Sequence, residues 1–201
     1  MIADCTALIF AGGDSRRMGH DKLSLQLGGQ NLLQRALGLA RALFPKVLVS
    51  VQHPRADIDA PQVCDEIPGA GPLAGLCAGL QHATTPWVFA VAADMPYLLP
   101  EVVERLAACR AAEHQAVVPV IDGQPYPLTA FYAVSALPTL RSVLACPGKP
   151  GLLAAFPKLN IHRVDERYLT DIDRELHSFI DLDTPQDAAR ALQHFGETES
   201  Q

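Results

Sequence analysis

Leu8-Ile9-Phe10-Ala11-Gly12-Gly13-Asp14-Ser15-Arg16-Arg17-Met18-Gly19-His20-Asp21-Lys22 is the stretch whose reading decides the fold. Leu8 to Phe10 has the length and composition of a buried strand, and it stops at a glycine pair. Lacking a Cβ, Gly12 and Gly13 let the backbone turn sharply and bring its N–H groups close to an anion. Arg16, Arg17 and Lys22 then gather three cations within seven residues. Those charges suit several phosphate oxygens, the arginines in bidentate fashion. A strand, a tight turn and a basic loop together read as a polyphosphate cradle. An ordinary βα turn with solvated charges has the same composition, so the surroundings have to separate the two readings.

Two common phosphate motifs do not fit. A Walker A loop needs G-x-x-x-x-G-K-[S/T], but five residues separate Gly13 from Gly19 and His20 stands where Lys is required. The dinucleotide fingerprint needs G-x-G-x-x-G, and the first turn has adjacent glycines. A closer decoy is Gly69-Ala70-Gly71-Pro72-Leu73-Ala74-Gly75, whose third Gly falls one position late.

Outward from the loop the rhythm is strand then helix. Asn31 is placed to cap a helix whose Leu33, Ala36, Leu37, Ala40 and Leu43 recur at helical spacing until Pro45. Val47 to Val51 reads as the second strand, and Pro72 opens a small-residue helix to about His82. Trp87 to Ala92 is a third strand, ending at Ala93-Asp94; Pro100 opens a helix to about Ala112. Val117 to Ile121 is a further strand, its Pro119 marking an edge or an irregularity. Leu128 to Val134 reads as a strand, Leu137 to Leu144 as a helix, and 147–151 as a Gly/Pro linker. Thr184-Pro185-Gln186-Asp187 starts a last helix, with Thr as cap and Asp at the positive end of the dipole. The alternation predicts an α/β fold: a single Rossmann-like, three-layer α/β/α domain with a mostly parallel central sheet.

Bulk properties narrow the function. The chain has 201 residues, 49% hydrophobic and 19% charged, as befits a globular protein with a substantial core. A net charge of −6 argues against broad nucleic-acid or anionic-membrane binding, so the basic loop is a local exception suited to a small anion. No apolar run reaches membrane-spanning length and no leader pattern opens the chain, which predicts a cytoplasmic protein. Five scattered cysteines without C-x-x-C spacing read as reduced thiols, and the seven histidines show no zinc spacing.

In open α/β sheets ligands bind beyond the carboxyl ends of the strands. That rule gathers the loop from Gly12 to Lys22, the stretch from Asp65 to Gly75, and Asp94-Met95-Pro96. Asp94 either holds Mg²⁺ against phosphates or caps a turn before Pro96.

The pattern AGG-x-x-x-R-M-G-x-x-K, then GPLAG, then a strand ending D-M-P, then D-x-D-T-P-x-D resembles the molybdenum cofactor guanylyltransferase family, from about Thr6 to Leu192. The order of four motifs is far more specific than any one of them. The resemblance implies a nucleotidyltransferase domain over 1–196 with a polar tail at 197–201. It implies GTP, Mg²⁺ and molybdopterin as reaction partners, transfer of GMP to the molybdopterin phosphate, and release of pyrophosphate. Further expected partners are proteins of molybdenum cofactor biosynthesis and acceptor molybdoenzymes.

Carried over residue by residue, Phe10, Ala11, Gly12 and Gly13 match the segment around the nucleotide. Lys22 matches the phosphate-binding lysine, with Arg17 and Arg16 on the triphosphate. Asp65 matches the Asp near the nucleoside, Gly71 and Pro72 the turn beside the guanine, and Asp94 the Mg²⁺ ligand. Asp181 and Asp183 fall where the family binds the pterin, although many members carry Asn there. The family often has His-Pro where this chain has Tyr126-Pro127. Lys22, Arg17 and Asp94 are the expected catalytic set.

The rival readings are a molybdenum cofactor cytidylyltransferase, whose first turn usually reads Ala-Ala-Gly, and a nucleotide-binding module that delivers cofactor without catalysis. A sugar-phosphate nucleotidyltransferase fits the short chain less well, and an NAD-dependent oxidoreductase fails the fingerprint.

Overall fold

The computed structural model describes residues 1–11, 22–64, 67, 70–182, 184, 186, 187, 189, 191 and 192. The strand read at Leu8 is β1 (Cys5–Phe10), and all six of its residues are buried. Residues on alternate sides of a strand face opposite layers, so a strand buried throughout must be covered on both faces. Cys5, Ala7 and Ile9 belong to one hydrophobic cluster, and Leu8 and Phe10 to another on the far side of the sheet.

The remaining elements follow in chain order. A small hairpin, β2 (Gln26–Leu27) and β3 (Gln30–Asn31), leads into α1 (Leu32–Leu43). The Asn31 side chain accepts from the Gln34 N–H at 2.8 Å and Gln34 Oε1 accepts from the Asn31 N–H at 2.9 Å, a reciprocal cap that fixes where α1 begins. Then come β4 (Lys46–Val51), β5 (Gln62–Cys64), α2 (Pro72–His82) and β6 (Trp87–Ala92). They are followed by α3 (Pro100–Ala108), β7 (Ala116–Ile121), β8 (Gln124–Pro125), β9 (Thr129–Ala133), α4 (Leu137–Leu144) and β10 (Ile161–Asp165). Thr184 and Asp187 cap each other at the last helical stretch: Asp187 N–H donates to Thr184 Oγ1 at 3.2 Å and Thr184 N–H to Asp187 Oδ2 at 2.9 Å. The tail expected at 197–201 lies outside the described residues.

The main sheet runs β10-β7-β9-β6-β1-β4-β5, with β8 paired to β7. β4, β1 and β6 are parallel, as are β4 with β5 and β7 with β10; β9 runs against both β6 and β7. From β1 the chain moves outward through α1 to β4, then returns through α2 to β6 on the other side. Right-handed crossovers in opposite directions put their helices on opposite faces. Accordingly α1 and α3 cover the face of Ala7 and Ile9, whereas α2 and α4 cover that of Leu8 and Phe10. The first face is filled by the rings of Phe44, Phe89 and Phe131; Phe89 and Phe131 lie 4.7 Å apart between centroids.

Two expectations need correction. Pro119 does not mark an edge, because β7 lies between β10 and β9. The irregularity is real: pairing with β9 stops at Val117 and pairing with β8 starts at Val120, so Pro119 falls where no antiparallel partner needs its missing N–H. Helix α3 ends at Ala108 instead of continuing to Ala112. Arg110 accounts for this: its Nε caps the Ala107 carbonyl at 2.9 Å, and its guanidinium reaches Asp4 at 3.0 Å. That guanidinium also lies 5.5 Å from the Trp87 ring, which is therefore packed as structure.

Close packing of α2 on β1 depends on one residue. A Cβ at Gly79 would fall 2.3 Å from a methyl of Leu8, which is fully buried, whereas one at Gly38 on α1 would meet nothing within 4 Å. Gly38→Ala is expected to stabilise the protein by about 0.5–1 kcal/mol through helix propensity. Gly79→Ala makes the same gain but overpacks the core, for an expected net loss of about 1–2 kcal/mol. Urea denaturation midpoints of the two variants check this; shifts of the same sign would contradict the packing account.

Candidate active site at the carboxyl ends of the strands

The strand order reverses its direction of growth between β1 and β6, and a crevice opens at such a switch point outside the carboxyl ends of the strands. Phe10 pairs with Ala92 in register, and the Ala93 N–H donates to the Phe10 carbonyl at 3.2 Å. On the other side the Ala11 N–H donates to the Ser50 carbonyl at 3.0 Å. The ladder thus continues one residue past each strand, to Ala11 and Ala93. Half-buried Asp94 follows directly on the β6 side.

Lys22 re-enters the described chain as the first residue of a 3-10 turn, Lys22–Ser24, that packs beside α1. Leu23 in this turn contacts the main core. Just beyond it, Leu27 and Leu32 are buried with Leu182 and Ala191, flanked by Leu25 and Tyr97. This small cluster fastens the backbone after Lys22 to the C-terminal segment at the same end of the sheet.

Helix α2 follows β5 and precedes β6, so its N-terminus lies at the same carboxyl edge. Its N-cap, Gly71, has φ +66° and ψ −157°, a conformation essentially confined to glycine. Pro72 occupies the first turn, and no side chain caps it. An anion brought to this end would meet main-chain N–H groups and the positive end of the helix dipole.

The fourth contribution is a strap, residues 173–182, lying along the loop between β6 and α3. Leu182 donates its N–H to the carbonyl of Asp94 at 3.1 Å. Ser178 Oγ accepts the Leu99 N–H at 3.1 Å, and the buried Asp173 carboxylate accepts the N–H groups of His177 and Ser178 at 3.0 and 2.7 Å. Phe179 meets Tyr126 edge-on, with centroids 5.1 Å apart. Burial, and after it the charges of Asp181 and Asp122, push the Tyr126 hydroxyl above its ordinary range, so it stays protonated at neutral pH. Asp181 itself is exposed.

The fold therefore gathers Phe10, Ala11, the Lys22 backbone, Gly71, Pro72, Asp94 and Asp181 along one edge of the sheet. Gly12, Gly13, Arg16, Arg17, Asp65 and Asp183 lie outside the described residues. Asp173 and Ser178 are not legible in the sequence as parts of this edge. Their signal, a carboxylate four and five residues before the N–H groups it accepts, is local but hidden in the charged run Asp171 to Glu175.

Two chemistries find no support here. Among the described residues no group of three or more His, Cys, Asp or Glu is placed to hold a metal ion. Burial pushes the Cys5 thiol up to about 12, which leaves it inert as a nucleophile.

Comparison with known proteins agrees with this fold. The family model described as MobA-like NTP transferase domain matches residues 7–162. A probable molybdenum cofactor guanylyltransferase of Chloroflexus aggregans is 36% identical over 201 residues, covering 96% of each chain. The molybdenum cofactor guanylyltransferase of Vibrio cholerae is 31% identical, covering 94% of this chain and 91% of its own. The crystal structure of molybdopterin-guanine dinucleotide biosynthesis protein A from Archaeoglobus fulgidus superposes with a TM-score of 0.84 at 28% identity, covering 96% of this chain and 99% of that one.

Thiol labelling checks the exclusion of cysteine chemistry. Exposed Cys64 and Cys146 are expected to react with iodoacetamide in the folded protein, and buried Cys5 and Cys77 only in denaturant. At pH 8 a thiol with its pKa near 12 is thiolate in only about one part in 10⁴. Native labelling of Cys5 at the rate of Cys64 would contradict the described core.

Proposed function

The chain belongs to the MobA-like NTP transferase family, and on that premise we propose that it transfers GMP from GTP to the phosphate of molybdopterin, releasing pyrophosphate. The observation that carries the reading is the junction at Asp94. Its strand neighbour β1 leads into the Gly-rich basic loop, and its carbonyl accepts the N–H of Leu182 in the acceptor strap. A nucleotide on one side of this turn and an acceptor on the other would meet there.

The chemistry asks for little beyond positioning. A phosphate monoester has its second pKa near 6, so the acceptor is largely dianionic at neutral pH and needs no dedicated base. One of its oxygens attacks the α-phosphorus of GTP; that P–O bond forms as the bond to the bridging oxygen of the β-phosphate breaks, and pyrophosphate leaves with the electron pair. The protein has to hold two repelling anions in line and balance charge on the leaving group. In this reading Lys22, Arg17 and Arg16 hold the triphosphate, and Phe10, Ala11, Gly12 and Gly13 shape its bed. Asp65 and the turn at Gly71 and Pro72 receive the nucleoside, while Asp181 and Asp183 receive the pterin. Carboxylates suit the donor edge of a pterin, though not its phosphate.

Asp94 is the residue that would hold Mg²⁺, and a single half-buried carboxylate fits an ion otherwise bound by phosphate. The ion supplies charge neutralisation at the phosphates when bound. The reading also takes residues 1–196 as one nucleotidyltransferase unit working in the cytoplasm, with cofactor-biosynthesis proteins and acceptor molybdoenzymes as partners and with no nucleic-acid or membrane role. No helix among the described residues is long and apolar enough to cross a membrane.

Pyrophosphate release with GTP, Mg²⁺ and molybdopterin tests the assignment. Lys22→Ala and Asp94→Ala are each expected to lower turnover by about 10²–10³-fold, the usual loss of a group that stabilises transition-state charge. Near-normal turnover in both would contradict the roles. Preference for CTP would move the protein to cytidylyl transfer, and binding without turnover to a delivery module.

A further inference from the structure

Among the described residues Asp173 is the only buried carboxylate, 6% exposed, and guanylyl transfer as outlined gives it no role. Its two oxygens are both engaged by main chain: Oδ1 accepts from His177 at 3.0 Å and Oδ2 from Ser178 at 2.7 Å. Its own carbonyl accepts the Leu176 N–H at 3.0 Å. Between these bonds Leu176 is held at φ +53°, a left-handed conformation that costs energy in a leucine and persists only where its surroundings enforce it. The carboxylate is what enforces it. Asparagine could not do the same, because its NH₂ would face one of the two N–H donors.

The enforced turn aims the strap at the loop that carries Asp94. Ser178 Oγ accepts from the Leu99 N–H at 3.1 Å and donates to the Tyr97 carbonyl at 3.5 Å. Phe179 docks on Tyr126, and Leu182 closes the strap on the Asp94 carbonyl at 3.1 Å. The strap is therefore laced to both ends of residues 94–99, and Asp181 lies between two of the fastenings.

We propose that Asp173 is a positioning residue for the transfer reaction: by fixing the strap it sets the main chain of Asp94 and the place of Asp181 together. This rests on the guanylyl-transfer reading. It predicts a particular division of effects, because the strap's hydrogen bonds to the loop between β6 and α3 go to Leu99, to the Tyr97 carbonyl and to the Asp94 carbonyl, on the metal-ligand turn.

The test compares wild type, Asp173→Asn and Ser178→Ala. In Asp173→Asn the molybdopterin KM is expected to rise about tenfold and the half-activating Mg²⁺ concentration about threefold, from loss of a charge-assisted bond. GTP affinity measured in EDTA should stay within about twofold, since Asp173 reaches the nucleotide side only indirectly, through the packing of Leu182 with Leu27 and Leu32, which the substitution leaves in place. Ser178→Ala, which leaves the carboxylate in place, should show the same pattern at about a third of the size. Hydrogen exchange is the readout that needs no turnover: the amides of His177, Ser178 and Leu182 should lose protection in Asp173→Asn while those of β1 and β6 keep theirs. A uniform fall in kcat with both KM values unchanged, an equal loss of GTP affinity, or an unchanged Leu182 amide would each overturn the proposal. A wild-type protein with no transfer activity would instead sink the functional reading, and the exchange data would still decide whether Asp173 fastens the strap to Asp94.

Discussion

Phe10 and Ala92 lie opposite each other on parallel strands, and the bond from the Ala93 N–H to the Phe10 carbonyl, 3.2 Å long, is the last rung between them. The rest of the site depends on that rung. Parallel strands end at the same edge of a sheet, so whatever follows Ala11 and whatever follows Ala93 must emerge about one strand spacing apart. Because the chain reaches β6 by returning across β4 and β1, this pair is the switch point of the sheet, where α/β folds open a crevice beyond the strand ends. Ala11 and Asp94 are thus neighbours by topology, although 83 positions separate them in sequence.

Maintaining that geometry constrains the core beneath. Strand β1 is buried on both faces, and α2 approaches it so closely that Gly79 admits no side chain above Leu8. Close approach matters because α2 also delivers its N-terminus, with the glycine-only backbone of Gly71, to the carboxyl edge of the sheet. On the opposite face the phenylalanine cluster and α3 hold β6 and β9 in place. The strap from Asp173 to Leu182 then joins the C-terminal part of the chain to the turn that β6 presents.

Much of this architecture is legible in the amino-acid sequence. Strands such as Trp87 to Ala92 are uninterrupted apolar runs, and helices announce themselves by local caps: Asn31 with Gln34, Pro72, Pro100, and Thr184 with Asp187. The residues expected on the nucleotide side are proposed on the same kind of evidence, since they lie within short local motifs. The reversed direction of β9 has a local cause too, because the seven residues 122–128 are too few for a parallel crossover. What escapes a reading of the sequence is short or tertiary. β5 has three residues and β10 is a partly exposed edge, so neither shows a clean periodicity. The strap has no regular element beyond one 3-10 turn, and its order comes from side-chain-to-backbone bonds that no pattern of hydrophobicity encodes.

The most direct check of the account is a crystal structure of the protein with a non-hydrolysable GTP analogue and Mg²⁺. The account predicts the nucleotide in the crevice between β1 and β6, its phosphates within hydrogen-bonding reach of the Gly12-to-Lys22 segment and the metal on Asp94. A nucleotide seated elsewhere, for example over β7 and β10, or a metal held away from Asp94, would contradict it.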